Sequence, residues 1–421
     1  MSNKNTIFLQ IVVFVSLLCS GCATMRHPVP LDLVDSAQIG DMPEIRVMMG
    51  EHNTALQKNL MLSSKQEDPK DFPVGPDGVK AYPIFAISGG SANGAYCAGL
   101  LKGWSEEGSR PVFKVTTGVS IGAIIAPFAF LGKEYDGVLE KGYTTISTKD
   151  IMANKLPILA IFGNSLASNA PLAKTITGLI DKDVLEKIAA QHKKGRRLFI
   201  GTSNLDAERF VVWDMGAIAC RGDLKFFRKV LLASVAMPTV FPPSLFHVVA
   251  GGKEYDELHA DGATLTQVFT TYELIVGMQE VAKRVGVDSS KIKGKLYIVR
   301  NGYMTPTYKK IKNNLSSLAQ RAFEMVTDSE GVGDAYRIYV FAGRTNSDYN
   351  LAYIPPDFTQ DNKEMFDPKD MRRLFDRGYQ DAIGGYKWHK APPGVEGSLT
   401  QPEENICGEK SAQKGLNIPS I

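Results

Sequence analysis

Ser120 lies in Gly118-Val119-Ser120-Ile121-Gly122, between a strand-like apolar run from Val112 to Thr117 and an apolar run of helical length from Ile121 to Leu131. A serine on a sharp strand-to-helix turn projects its hydroxyl clear of the backbone, and flanking glycines let helix and strand pass closely. That is the geometry a nucleophile needs. Such a pentapeptide also arises by chance in loops, so the rest of the chain has to supply the partners of an attacking hydroxyl.

Two segments do so. Ser88-Gly89-Gly90-Ser91-Ala92-Asn93-Gly94-Ala95 follows the short apolar strand Pro83 to Ser88 and opens a helix. Consecutive glycines there free backbone N–H groups to point into a common space beside the positive end of the helix, which in a hydrolase is an oxyanion hole. A nucleotide phosphate loop is excluded: neither Gly-Lys-Ser/Thr nor Gly-x-Gly-x-x-Gly occurs there. The second is Asp261-Gly262-Ala263, a carboxylate held at a turn, in the order serine then acid. A Ser-Asp-His order needs a histidine after the acid, and only His389 follows. His259 stands two residues before Asp261, on the same face of a strand, and offers a different third member. The sparse histidines favour the simpler arrangement, a Ser–Asp pair without one.

The elements that must carry these residues alternate. After Pro83 to Ser88 comes a helical stretch from Gly94 to Glu107, then the Val112 strand, the Ser120 turn and a second helix. Strand–helix alternation implies parallel pairing and an α/β sheet. Residues 134–180 read as looser and contain an apolar run at 156–162, either ordinary core or a cover over an acyl site. Arg197 to Ile200 and Phe210 to Trp213 read as strands, 225–236 as a helix, and Lys295 to Val299 as a strand. A helix at 311–327, strand-like runs at Ile338 to Ala342 and Leu351 to Ile354, and a helix near 367–382 follow.

The 421 residues suffice for one large domain or two ordinary ones, and 44% hydrophobic with 22% charged residues is a globular composition. A formal charge of +3 with no long basic run argues against nucleic acid as a partner. Five cysteines make no framework of disulfides, and no cluster of cysteine or histidine suggests a metal; no cofactor is expected. Residues 1–21 read as a secretory leader, with Lys4 before the apolar core Ile7 to Leu18. The following Leu18-Cys19-Ser20-Gly21-Cys22 resembles a bacterial lipobox, which makes Cys22 the expected lipid-bearing residue and anchors the chain in a bacterial envelope membrane, the outer one by expectation.

Taken together, Ser88 to Ala95, Gly118 to Gly122 and Asp261 to Ala263 resemble the patatin-like phospholipases, and the chain is similar to patatin-like lipoproteins of bacteria. Thr202 to Asp206 and Ala233 to Pro238 add weaker resemblances, and order and spacing fit across about residues 82–300. The resemblance implies an α/β fold with a parallel-rich sheet flanked by helices and a serine nucleophile elbow. It implies a hydrolase of lipid acyl esters, of phospholipase, lysophospholipase or esterase type, acting on membrane lipid or a lipid-like ester. Ser120 would attack, Asp261 would take its proton, and N–H groups of Gly89, Gly90 and Ser91 would hold the oxyanion, with no metal. Two positions depart from the family block: Ser91 replaces a glycine and Asn93 a basic residue. They support the alternative of a non-catalytic envelope lipoprotein that binds lipid or a partner on a decayed fold; a histidine-dependent esterase is a third reading. The expected organisation is a leader at 1–21, a tether and irregular arm at 22–80, a catalytic domain at 81–310, a C-terminal extension packed on it at 311–390 and a polar tail at 391–421.

Overall fold

Strand–helix alternation from residue 80 onward builds a parallel sheet whose strand ends gather at one rim. The computed structural model describes residues 26–42, 44–49, 54–155, 163–270, 288–361 and 364–395, and singly 279, 283 and 286. The leader, Cys22, the apolar run 156–162 and the tail beyond 395 lie outside the described residues.

The strands of the main sheet are β1 (Arg46–Met48), β2 (Lys80–Ile87), β3 (Val115–Val119), β4 (Arg197–Asn204), β5 (Arg209–Asp214), β6 (Ser244–Ala250), β7 (Lys253–Asp261), β8 (Ile292–Arg300) and β9 (Asp348–Tyr353). Their order is β1-β5-β4-β3-β2-β8-β9. The five strands β4, β3, β2, β8 and β9 run parallel. β5 pairs antiparallel with β4, and β1 with β5. The β6–β7 hairpin attaches through the last residues of β4.

The helices that matter for the site are α1 (Thr54–Gln66), α2 (Gly94–Glu107), α3 (Ile121–Leu131), α4 (Asp136–Thr145), α5 (Ala170–Leu179), α6 (Lys182–Lys193), α7 (Leu224–Ser234), α8 (Leu315–Arg344) and α9 (Pro368–Ile383). One face of the sheet packs against α2, α3, α4, α6, α7 and α9 through Phe85, Leu100, Ile125, Ile188, Leu231 and Leu374. The other packs against α1 and the second half of α8 through Ile84, Leu60, Ile298 and Ile338. A parallel sheet is buried on both faces, which explains why β3 and β4 are buried at every residue rather than at alternate ones.

Four expectations change. The arm expected within 22–80 supplies the edge strand β1 and the helix α1 instead of a loose tether. The extension expected at 311–390 does more than pack on a finished core, because β9 completes the parallel sheet and α9 lies along α2. The strand-like run Ile338 to Ala342 is helical, inside the single long helix α8. Ala335, Ile338 and Ala342 are buried while Val340 is exposed, a spacing of three and four that β-branched and aromatic content conceals. Lastly, the stretch 134–180 contains α4 and α5 in its described part.

Candidate active site

The elbow is built by backbone proximity. A Cβ on Gly118 would lie 2.4 Å from the carbonyl oxygen of Gly122, and one on Gly122 would lie 2.4 Å from that of Ile87, so α3 can start this close to β3 and β2 only with glycine at both positions. Between them Ser120 adopts φ 53° and ψ −125°, a conformation that non-glycine residues rarely take. Its N–H donates to Ser234 Oγ at 3.0 Å, and Ser234 Oγ in turn donates to the Gly201 carbonyl at 2.7 Å. Ala123 N donates to the Ser120 carbonyl at 2.8 Å. The strained residue is thus fixed on both sides while its hydroxyl stays partly exposed.

Strand register brings the acid to it. Val119, the residue before Ser120, pairs with Gly201, and the next residue of β4, Thr202, pairs with Asp261. Ser120 Oγ donates to Asp261 Oδ2 at 2.7 Å, and Ala263 N donates to Asp261 Oδ1 at 2.8 Å. Asp261 is 4% exposed. Burial pushes its carboxyl up to about 7, against the opposing pull of the bonds from Ser120 and Ala263. A carboxylate of ordinary acidity is a poor base for a serine hydroxyl; one near 7 suits that task.

The glycine-rich loop follows β2. Gly89 N–H donates to the Gln267 carbonyl at 2.9 Å, so this donor, expected in the oxyanion hole, is already engaged. Gly90 has φ 147° and Ser91 φ 51°. Their N–H groups have no backbone acceptor among the described residues, at the start of the short turn that opens α2. Ser91 therefore occupies the left-handed region without the glycine that suits it. Asn93, where the family carries a basic residue, is held by Gln360 Nε2 at 2.7 Å and donates to the Asn301 carbonyl at 3.4 Å. Asn301 also clasps Ser88 through two further bonds. The loop is thereby fixed from β8 and from the segment before α9.

Gly90 is the tightest point: a Cβ there would stand 2.1 Å from the Asn301 carbonyl oxygen, and the φ is forbidden to an L side chain. Gly90→Ala should displace the loop and lower turnover at least about a hundredfold, the scale of losing one oxyanion donor. Ester hydrolysis by the folded variant close to the wild-type rate would remove Gly90 from the site.

Histidine takes no part in this arrangement. His259 is fully buried, its Nδ1 2.8 Å from Thr202 Oγ1 and its Nε2 3.1 Å from Glu257 Oε2, and burial holds it below its usual range. Arg46 of β1 closes this chain on Glu257. His389 stacks on Tyr353, with its backbone paired to Leu351.

Three further residues shape the site. The side chain of Gln267 is buried with Oε1 unpartnered, and a Cβ on Gly89 would meet that oxygen at 2.7 Å and Ser120 Cβ at 3.2 Å. Asp334 of α8 accepts from Gln267 N and Val268 N at 2.7 and 3.0 Å, fixing the segment after the Asp-Gly-Ala turn. Ser234 lies in the Ala233 to Pro238 block, which carried a signal; Gln267 and Asp334 carried none. Among the described residues no cluster of acidic, histidine or cysteine side chains could hold a metal.

The sequence compares with known proteins on the same stretch. Residues 85–272 match the family model of the patatin-like phospholipases. This segment is a patatin-like domain. It contains the loop after β2, the elbow and Asp261, and the fold is the patatin α/β fold with a mixed, mostly parallel sheet flanked by helices. The patatin-like phospholipases are, as a family, hydrolases of lipid esters. Among solved structures it is similar to VipD from Legionella pneumophila, at 11% identity over 75% of this chain and 70% of that one, with a TM-score of 0.35. It is also similar to the type III effector protein ExoU, at 11% identity over 76% and 60%, with a TM-score of 0.29. No curated protein matches the sequence.

Proposed function

We propose that the chain hydrolyses acyl esters of membrane lipids, of the phospholipase A, lysophospholipase or esterase type, through a Ser120–Asp261 dyad. The observation that carries this reading is the 2.7 Å bond from Ser120 Oγ to a buried carboxylate. In the proposed reaction Oγ attacks the ester carbonyl as its proton passes to Asp261 Oδ2. The N–H groups of Gly90 and Ser91 receive the oxyanion, and the leaving alcohol takes the proton back from Asp261. A water then enters, gives a proton to Asp261 and attacks the acyl-enzyme. Collapse of the second tetrahedral intermediate returns that proton to Ser120 and releases the fatty acid.

A fluorophosphonate should label the protein, with the adduct on Ser120 by peptide mass spectrometry. An adduct on another serine would end the assignment. The pH dependence follows from Asp261. The base form does the work, so kcat/KM for an uncharged short-chain ester should fall about tenfold per pH unit below about 7 and level off above it. A profile flat from about pH 5 to 8 would mean that no group with this environment acts as base.

The leader-like segment and the lipobox-like step at Cys22 support envelope anchoring as part of the same proposal. Mass spectrometry of the mature protein should find acyl groups on Cys22; an unmodified thiol there would refute it.

A further inference from the structure

The long helix α8 connects the parallel strands β8 and β9, so it starts at their carboxyl ends, the rim that carries Ser120. Its bonds to β8 and to the segment after the Asp-Gly-Ala turn begin at Asp328. Asp328 holds Arg300, Gly331 packs on the same guanidinium, and Asp334 holds the backbone of Gln267 and Val268. Gly331 is the first buried residue of the helix among those described. The thirteen residues of the helix before Asp328 run about 20 Å at the usual rise and are exposed or half-buried wherever their burial is described.

This stretch exposes apolar side chains where a soluble surface would be polar. Leu318, Met325 and Val326 are exposed on one face of the helix, Val326 at 66%. The loop entering α8 adds Tyr308, 93% exposed, and Ile311. Four basic residues, Lys309, Lys310, Lys312 and Arg321, interleave with them, against one acid, Glu324; the next two acids, Asp328 and Glu330, are paired with Arg300 and Arg337. Glu324 is engaged by Lys309 and Arg321, while Lys310 and Lys312 form no ion pair with a described residue.

We infer that the segment 304–326 is an interfacial docking element that seats the active-site rim on an anionic lipid surface. Exposed aliphatic and aromatic side chains among lysines suit the boundary between headgroups and acyl chains, where apolar groups enter and ammonium groups stay at phosphate level. A second copy of this chain fits less well, since a two-fold contact would set this basic patch against itself. The loop leaves β8 at Asn301, which touches Gly90 and Asn93, so docking there brings lipid to the glycine-rich loop. The inference rests on the lipid-ester reading of Ser120 for its purpose, and its test is independent of turnover.

The experiment uses the full chain carrying Tyr308→Trp, made both with Ser120 and with Ser120→Ala. Vesicles of brominated phosphatidylglycerol should quench the introduced indole in both, and vesicles of brominated phosphatidylcholine much less. The same chains with Tyr308 retained give the background of Trp104 and Trp213, which are buried, and Trp388. Lys309→Glu with Lys310→Glu and Lys312→Glu should abolish the quenching. The triple change should also slow hydrolysis of phosphatidylglycerol vesicles at least about tenfold, with hydrolysis of a soluble short-chain ester unchanged. Indole fluorescence from position 308 left unquenched by anionic vesicles would overturn the docking element. So would a dimer in solution that Met325→Glu dissociates without any quenching, which would assign the face to a second copy. Quenching in a protein that hydrolyses neither substrate would uphold the docking element and sink the ester hydrolase.

Discussion

Asp261→Asn should remove ester hydrolysis and, above about pH 7, make the protein more stable. The loss of turnover follows from the missing base and is expected at about a thousandfold or more. The gain in stability follows from burial. An exposed aspartate titrates near about 4, whereas Asp261 in the folded chain is pushed up to about 7. The folded state therefore binds this proton more tightly than the unfolded one. Below about 4 both states hold the proton and nothing is lost. As pH rises from there to about 7 the unfolded state ionises freely, while the folded state resists, and stability falls. Above that the folded protein carries a buried carboxylate at a cost of up to ~4 kcal/mol, the equivalent of about three pKa units. Asparagine keeps an acceptor for Ala263 N–H and a donor toward Ser120, without the charge. Differential scanning calorimetry at about pH 5 and about pH 8.5 should show a gain of several degrees in Tm for the variant at the higher pH and a much smaller one at the lower. Equal shifts at both would show that burial of charge is not what distinguishes Asp261.

The chemistry of this rim was more legible than its support. Gly118, Ser120 and Gly122 announce themselves because a nucleophile elbow needs small residues at fixed offsets, and the requirement is local. Asp261 was legible for the same reason, as its turn is made within three residues. Gly89 shows the limit. The glycine pair after β2 marks a loop with free N–H groups, yet which of them stays free depends on Gln267, far along the chain, whose carbonyl takes one. Asp334 is still less visible, since its acceptor role exists only once α8 lies over the sheet. Pairings between distant segments leave no periodicity in either.

The same reasoning explains where elements were misjudged. Residues 46–48 are too few to show alternation, and they form a strand because β5 presents an open edge to them. The run Ile338 to Ala342 has strand-like content, but its neighbours Ala335 and Tyr339 already follow the helix, and the packing of α8 on β8 and β9 decides. Local propensity yields to burial when the two disagree.

Ser91 and Asn93, the two departures from the family block, have different standing in the folded chain. Asn93 lost a charge but gained fixed partners in Gln360 and Asn301, so the loop is held by neutral bonds rather than by a basic side chain. Ser91 has a left-handed φ, and its N–H has no backbone acceptor among the described residues. Both are compatible with the proposed mechanism, so neither departure by itself supports the reading of a decayed, non-catalytic fold.

Ser120→Ala and Ser120→Gly should both lack activity and should differ in stability. Removing Oγ removes the attacking atom, so turnover of any ester and labelling by fluorophosphonate should vanish in either. The backbone separates them. At φ 53° and ψ −125° Ser120 lies where a side chain is strained by about 1–3 kcal/mol, held there by Ser234, Ala123 and the crossing of Gly118 with Gly122. Alanine keeps that strain; glycine relieves it, at the expense of up to ~1 kcal/mol from its freer unfolded chain. Ser120→Gly should therefore be the more stable of the two by about 1 kcal/mol, read from urea unfolding with equal slopes for both variants. An alanine variant more stable than the glycine one would mean that the elbow holds no strain at Ser120. Turnover surviving in a folded Ser120→Ala protein would mean that the hydroxyl bonded to Asp261 is not the nucleophile.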